Sequence, residues 1–185
     1  MPPKAKVTKE KILEAALNIV RRDGASKLNA RSVAKELNCS TQPIFSFYKS
    51  MEELKNDLMI TANDYNDKYV LDYIQRMDIL PYKASGMAYI QFAKDEKELF
   101  KFLFMNEKKN TQMWESEHGY IIEMVMASTG LDKAIATKFH LQMWLFVHGI
   151  ATFSVTSCLE MSEEQIHEFL DCIYFGVLEA YKRNE

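Results

Sequence analysis

Two pairs of residues have the spacing of a metal-binding helix. Glu115/His118 and Glu164/His167 each repeat Glu-x-x-His, which sets both side chains on one helical face. Di-iron bundles use two such pairs and add a glutamate from each of two further helices. The chain holds 17 Glu and four His, so two matches exceed chance only mildly. The partner glutamates are not evident, and Glu164 and His167 fall in the first turns of a helix rather than mid-bundle. A helical di-metal carboxylate enzyme is therefore an alternative reading only, as is a helical adaptor that binds protein through residues 132–182. The sequence has no phosphate-cradling glycine loop, no His-Glu-x-x-His and no serine or cysteine nucleophile motif. Cys39, Cys158 and Cys172 are an odd number at no metal-like spacing, and read as reduced thiols of a cytoplasmic protein. The expectation is a non-enzyme with no cofactor and no metal.

A second group of residues has the chemistry of reading DNA. Thr41, Gln42, Ser46 and Phe47 lie within seven positions of one another. Gln42 can offer a paired donor and acceptor to adenine, and Thr41 and Phe47 can pack on a thymine methyl. Asn29, Arg31 and Lys49 suit phosphates, helped by the positive end of the helix that Asn29 opens. Charge supports this placement. Residues 1–55 carry 11 Lys/Arg against 6 Asp/Glu, while the remainder carries 12 against 20. A basic head on an acidic body is expected where one end meets a polyanion.

The elements that must position these residues are helices. No sustained two-residue alternation and no Asn-Gly or Asp-Gly turn appears. Ile12, Ala15, Ala16, Ile19 and Val20 recur at helical spacing between a Thr8 cap and an Asp23-Gly24 stop. Asn29 caps a short second helix with Val33, Ala34 and Leu37 inward, and Asn38 can take the left-handed conformation that ends it. Ser40 is expected to cap a third helix, with Pro43 in its first turn and Ile44, Phe45 and Tyr48 inward. A long helix runs from Met51 towards Ile79 and stops at Leu80-Pro81. Shorter ones follow at 82–93, 95–106 and 111–128. The 132–157 segment is apolar on more than one face, and a final helix opens on the capping-box spacing Ser162/Gln165. The fold class is all-α, about nine helices, with a three-helix helix-turn-helix head at 1–50 on a C-terminal helical bundle at 51–185. The longest nearly apolar run, Met143–Phe153, is 11 residues, against about 20 for a spanning helix, so no membrane span is expected.

The run Val33-Ala34-Lys35-Glu36-Leu37-Asn38-Cys39-Ser40-Thr41-Gln42-Pro43-Ile44-Phe45-Ser46-Phe47-Tyr48-Lys49-Ser50-Met51-Glu52-Glu53-Leu54 resembles the signature of the TetR family of one-component transcriptional regulators. That pattern has an Ala-x-x-x-Gly-Val-Ser turn, a Tyr-x-Tyr/His-Phe recognition helix and a Ser-Lys-Glu-x-Leu entry to the fourth helix. Here Asn38 replaces the turn glycine, Phe45 replaces a tyrosine often offered to phosphate, and Met51 stands where a phosphate-binding lysine is usual. Neither phosphate role carries over. Further on, Trp144-Leu145-Phe146-Val147-His148-Gly149 is similar to the Trp-x-x-x-His-Gly pattern of one branch of the family.

The resemblance implies a ligand-responsive DNA-binding regulator, by family default a repressor. It implies a homodimer through the last two helices, and an effector pocket among helices four to seven. Residues 89–153 contain both tryptophans and five of the 11 methionines, a soft lining suited to a small lipophilic or aromatic effector. The candidate lining is Tyr89, Phe92, Phe104, Trp114, Tyr120, Met124 and Met143, with His148 as a polar handle. Ordinary core packing is the alternative for each of these, and for His148 the more natural one. The candidate dimer face is the stripe Ile166, Phe169, Leu170, Ile173, Tyr174 and Val177 on the last helix. The expected partners are an operator in double-stranded DNA, the effector and a second copy of the chain.

Overall fold

A computed structural model describes residues 7–105 and 118–183. These form nine α-helices and a short 3₁₀ turn at Ala25–Lys27, with no strand among the described residues. The helices are α1 (Lys9–Asp23), α2 (Ala30–Glu36), α3 (Gln42–Phe47), α4 (Met51–Arg76), α5 (Pro81–Asp95), α6 (Lys97–Phe104), α7 (Gly119–Thr129), α8 (Lys133–Thr156) and α9 (Glu163–Lys182). No described helix is long and apolar enough to cross a membrane.

Local chemistry accounts for most of the boundaries. The Thr8 hydroxyl accepts from the Lys11 N–H at the start of α1, and Gly24 ends it at φ 85°. A Cβ at Gly24 would lie 2.6 Å from Glu98 Oε2, a side-chain end free to shift, so it is the positive φ that favours glycine. Asn29 Oδ1 accepts from the N–H groups of Arg31 and Ser32, while Ser32 Oγ accepts from Asn29 N–H, a reciprocal cap for α2. Asn38 takes φ 48°. Pro81 opens α5, where its missing N–H has no helical acceptor to lose. Ser162 and Gln165 close the capping box of α9.

Two expectations about α3 are corrected. Its N-cap is Thr41, not Ser40, and it has no side-chain cap bond. Pro43 lacks the N–H such a cap would serve, and Ile44 N–H bonds to the Thr41 carbonyl instead. Phe45 faces outward, 52% exposed, whereas Ile44 and Tyr48 are buried. Residues 44 and 48 share a face four apart, and one step away the helix turns Phe45 off it.

The chain divides into two compact units, residues 1–68 with 96–106, and residues 69–95 with 107–185. In the first, buried residues of α1 (Ile12, Ala16, Ile19, Val20), α2 (Val33) and α3 (Ile44, Tyr48) share the unit with Leu54 and Leu58 of α4 and Leu99, Phe100 and Leu103 of α6. In the second, Ile122, Val125, Leu131, Ala136, Phe139 and Met143 form a core, covered in part by Tyr82 and by Ile173, Tyr174 and Val177 of α9.

Candidate functional site

The first unit presents a short helix whose outward side carries most of the predicted base-reading groups. Ile44 and Tyr48 anchor α3, which leaves Gln42, Phe45, Ser46 and Phe47 exposed and Thr41 and Pro43 half-buried. Gln42 is the first residue of α3, and its carbonyl accepts from the Ser46 hydroxyl at 3.0 Å. That bond turns Ser46 back on its own helix. Arg31 and Lys49 are exposed at either side of the turn. The Lys49 N–H donates to Glu53 Oε2 at 2.7 Å, and the Glu53 N–H donates to Ser50 Oγ, which caps the entry to α4. Asn29 is occupied in capping α2, with Nδ2 donating to the Lys27 carbonyl. It is itself exposed, at the positive helix end beside Arg31.

Ion pairs tie α1 to α2, α4 and α6 within this unit. Arg21 donates through Nε to Glu96 Oε2 at 2.8 Å and through Nη2 to Oε1, a two-pronged pair. Tyr65 donates to the same Oε1 at 2.9 Å, and the Arg21 guanidinium lies 4.7 Å from the centre of the Tyr65 ring. The Glu96 side chain is only 11% exposed. Glu96 is the N-cap of α6, so its charge also meets the positive end of that helix. The hydrogen bonds to Glu96 hold the Arg21 pKa above its ordinary value. Arg22 bridges α1 to Glu36 of α2 at 3.2 Å, and Lys9 pairs with Asp57 of α4 at 2.6 Å. Burial pushes the Tyr48 hydroxyl up to about 12. Arg21, Glu96 and Tyr65 were missed by sequence reasoning: 75 positions separate the first two, and nothing local signals their meeting.

The second unit contains a different polar arrangement. His140, Trp144 and His148 occupy one face of α8 at four-residue steps. His140 Nδ1 lies 3.1 Å from Tyr82 Oη, and its Nε2 lies 2.9 Å from Nδ1 of His118, the N-cap of α7. His148 Nδ1 lies 2.9 Å from Tyr89 Oη, and the Trp144 ring stacks on His148 with centroids 4.9 Å apart. His118 meets the Trp144 edge at 6.0 Å. His140 is buried, and burial, helped by His118, pulls its pKa down to about 3. Burial raises both tyrosine hydroxyls well above their ordinary range. Burial thus keeps His140, Tyr82 and Tyr89 uncharged at pH 7. One turn beyond His148, Thr152 has a buried hydroxyl with no hydrogen-bond partner among the described residues.

Of the predicted lining residues, Tyr89 and His148 are joined directly. Phe92 is fully buried and meets Tyr69 edge-on at 5.3 Å. Met143 belongs to the second unit's core, Met124 is half-buried, and Tyr120 is 43% exposed. Phe104 packs on Phe100 in the first unit. Trp114 lies outside the described residues, as does Glu115 of the first Glu-x-x-His pair. Glu164 and His167 sit at the start of α9, and among the described residues no three metal-ligating side chains come together. Tyr82, His118 and His140 were missed. The step from His140 to His148 was the available signal, since three turns of one face carried two imidazoles and an indole.

On α9, Ile166 and Leu170 are buried within the chain, and Ile173, Tyr174 and Val177 are partly buried against the core. Phe169 and Phe175 face outward, as do Leu141, Leu145 and Phe153 of α8. Gln142, Gly176, Val177, Ala180 and Tyr181 line a shallow open groove between these helices. Large exposed apolar side chains on two neighbouring helices mark a surface suited to association.

Comparison with known proteins agrees with this architecture. Residues 82–173 match the family model of the tetracyclin repressor-like C-terminal domain. No curated protein matches the sequence. Among solved structures, a TetR family transcription regulator from Marinobacter aquaeolei VT8 shares the fold with TM-score 0.63 and 16% identity over 90% of this chain and 93% of that one. A protein of unknown function from Rhodococcus sp. RHA1 gives 0.75 and 18% over 95% and 98%. A TetR family member from Streptomyces coelicolor A3 gives 0.61 and 16% over 89% and 96%.

Proposed function

Since the chain belongs to the TetR family and is a ligand-responsive DNA-binding regulator, we propose that it acts as a repressor, released from a palindromic operator by a small lipophilic or aromatic effector. Residues 1–50 read the DNA, and residues 51–185 bind the effector and a second copy of the chain. The observation that carries this reading is α3. It is anchored by Ile44 and Tyr48, and it offers Gln42 and two exposed phenylalanines on the opposite side. Gln42 reads a base edge, and Arg31 and Lys49 hold phosphates. The outward apolar residues of α8 and α9 bury each other across a two-fold axis, which sets two recognition helices about 34–36 Å apart. The Tyr–His–Trp face of the second unit supports an effector of lipophilic or aromatic character.

Selection of bound fragments from a random DNA pool tests this reading. A palindrome bound by two chains is expected. Gln42→Ala should relax the preference at one base pair per half-site, a lost contact of about 1–3 kcal/mol. Lys49→Ala should weaken all sequences alike and reduce the salt slope by about one. Equal losses on specific and random DNA for Gln42→Ala would remove its assigned role.

A further inference from the structure

α3 carries no charged side chain. Its six residues are Gln42, Pro43, Ile44, Phe45, Ser46 and Phe47. That restricts what the helix can read from base edges in a major groove. Guanine is read by arginine or lysine and cytosine by a carboxylate, whereas adenine suits a glutamine amide and thymine presents a methyl group to apolar surface. Of these four chemistries α3 holds only the last two. A hydroxyl serves either kind of base, but the Ser46 proton is committed to the Gln42 carbonyl. Arg31 and Lys49 lie outside α3 and are left to the phosphates.

The turn of the helix decides where its apolar surface points. Successive residues step around the axis by about 100°. With Ile44 and Tyr48 buried, Gln42 and Ser46 lie opposite the buried face, and Phe45 and Phe47 flank them on either side. Phe45 is 52% exposed and Phe47 44%. Neither ring has a polar atom to offer a phosphate, so what they present to DNA is apolar area alone, and covering it with a methyl group is favourable.

Resting on the DNA-binding reading of α3, we propose that Phe45 is a specificity-determining residue. It and Phe47 cover the C5-methyl groups of two thymines in each half-site, while Gln42 reads an adenine, so the base pairs under α3 are A·T. The methyl group itself is what each ring recognises. Losing one methyl should weaken binding about fourfold, the worth of one buried methylene.

The test uses the full-length protein and the palindrome it selects from random DNA, with affinity read by fluorescence anisotropy. Deoxyuridine in place of each thymidine in turn removes the methyl group and keeps every hydrogen-bonding group of the base. Two positions per half-site should each lose about fourfold. Phe45→Ala truncates an exposed side chain and leaves the Ile44/Tyr48 face intact. In that variant one of the two positions should become insensitive to deoxyuridine, and in Phe47→Ala the other. At the Phe45-dependent position a 5-methylcytosine·guanine pair should bind about fourfold better than cytosine·guanine. Deoxyuridine without effect at every position, or a Phe45→Ala protein that keeps both sensitivities, overturns the proposal while operator binding stands. Equal binding of methylated and unmethylated cytosine overturns it likewise. Failure to select any palindrome removes the operator reading, and this proposal with it.

Discussion

In the first unit the buried polar contact is ionic: Arg21 grips Glu96 with two hydrogen bonds while Tyr65 adds a third and lends its ring face to the guanidinium. In the second it joins tyrosines to imidazoles along α5 and α8 to the start of α7, with His140 held uncharged by burial. The two chemistries hold structure differently. A part-buried ion pair defines one geometry and is costly to break, because removing one partner strands the other. A neutral network demands only that each donor find an acceptor, so a ligand can enter it without stranding a charge. On the function proposed above, a rigid clamp suits the unit that presents α3 at a fixed angle, and a tyrosine–imidazole face suits one that admits an apolar effector.

Breaking the clamp should have the largest effect. Glu96→Ala leaves the Arg21 charge part-buried without its carboxylate, and should destabilise the protein by about 3 kcal/mol in urea unfolding. A loss below about 0.5 kcal/mol would mean that water screens the pair as it does at a surface, and the contrast between the units would disappear.

The sequence carried the head further than the body for a physical reason. Thr8, Gly24, Asn29 and Asn38 act on backbone within four residues, so their roles show in local order. Ser162 with Gln165 marks α9 in the same way. Where propensity was asked to give orientation it failed: Phe45 is apolar but lies off the 44/48 face, and Pro43 removed the need for the expected Ser40 cap. The pairings that give each unit its polar character join residues 75 and 58 positions apart. Such contacts are fixed by helix packing, which no window of sequence contains. The break between compact units inside α4 is equally silent, because helical spacing runs through it.

Acid should single out the second unit next. The pKa of His140 is depressed to about 3 in the folded chain, while the unfolded chain titrates near the ordinary 6.5. Below pH 6.5 the unfolded state therefore binds the proton that the folded state refuses. The stability contributed is full above pH 6.5 and falls as pH drops towards 3, by up to about 1.4 kcal/mol per unit. Unfolding midpoints between pH 7 and 5 should drop accordingly, and His140→Phe should flatten that part of the profile. An unchanged slope in the variant would place the acid sensitivity elsewhere.

The smallest effect is expected at the outer link of the tyrosine–imidazole face. Tyr89→Phe removes one hydrogen bond to His148 while keeping the ring, and should lower stability by about 1 kcal/mol. A change near 3 kcal/mol would show that this unit also depends on a strong, fixed contact.

The division of labour itself is tested most directly by operator affinity, measured by fluorescence anisotropy on the selected palindrome with folded Arg21→Gln and Tyr82→Phe proteins. Loosening α1 in the unit that carries the reading helix should weaken specific binding by about tenfold, equivalent to about 1.4 kcal/mol. Tyr82→Phe, confined to the tyrosine–imidazole network, should stay within about twofold of wild type. Equal losses in the two variants, or a loss in Tyr82→Phe alone, would contradict the account.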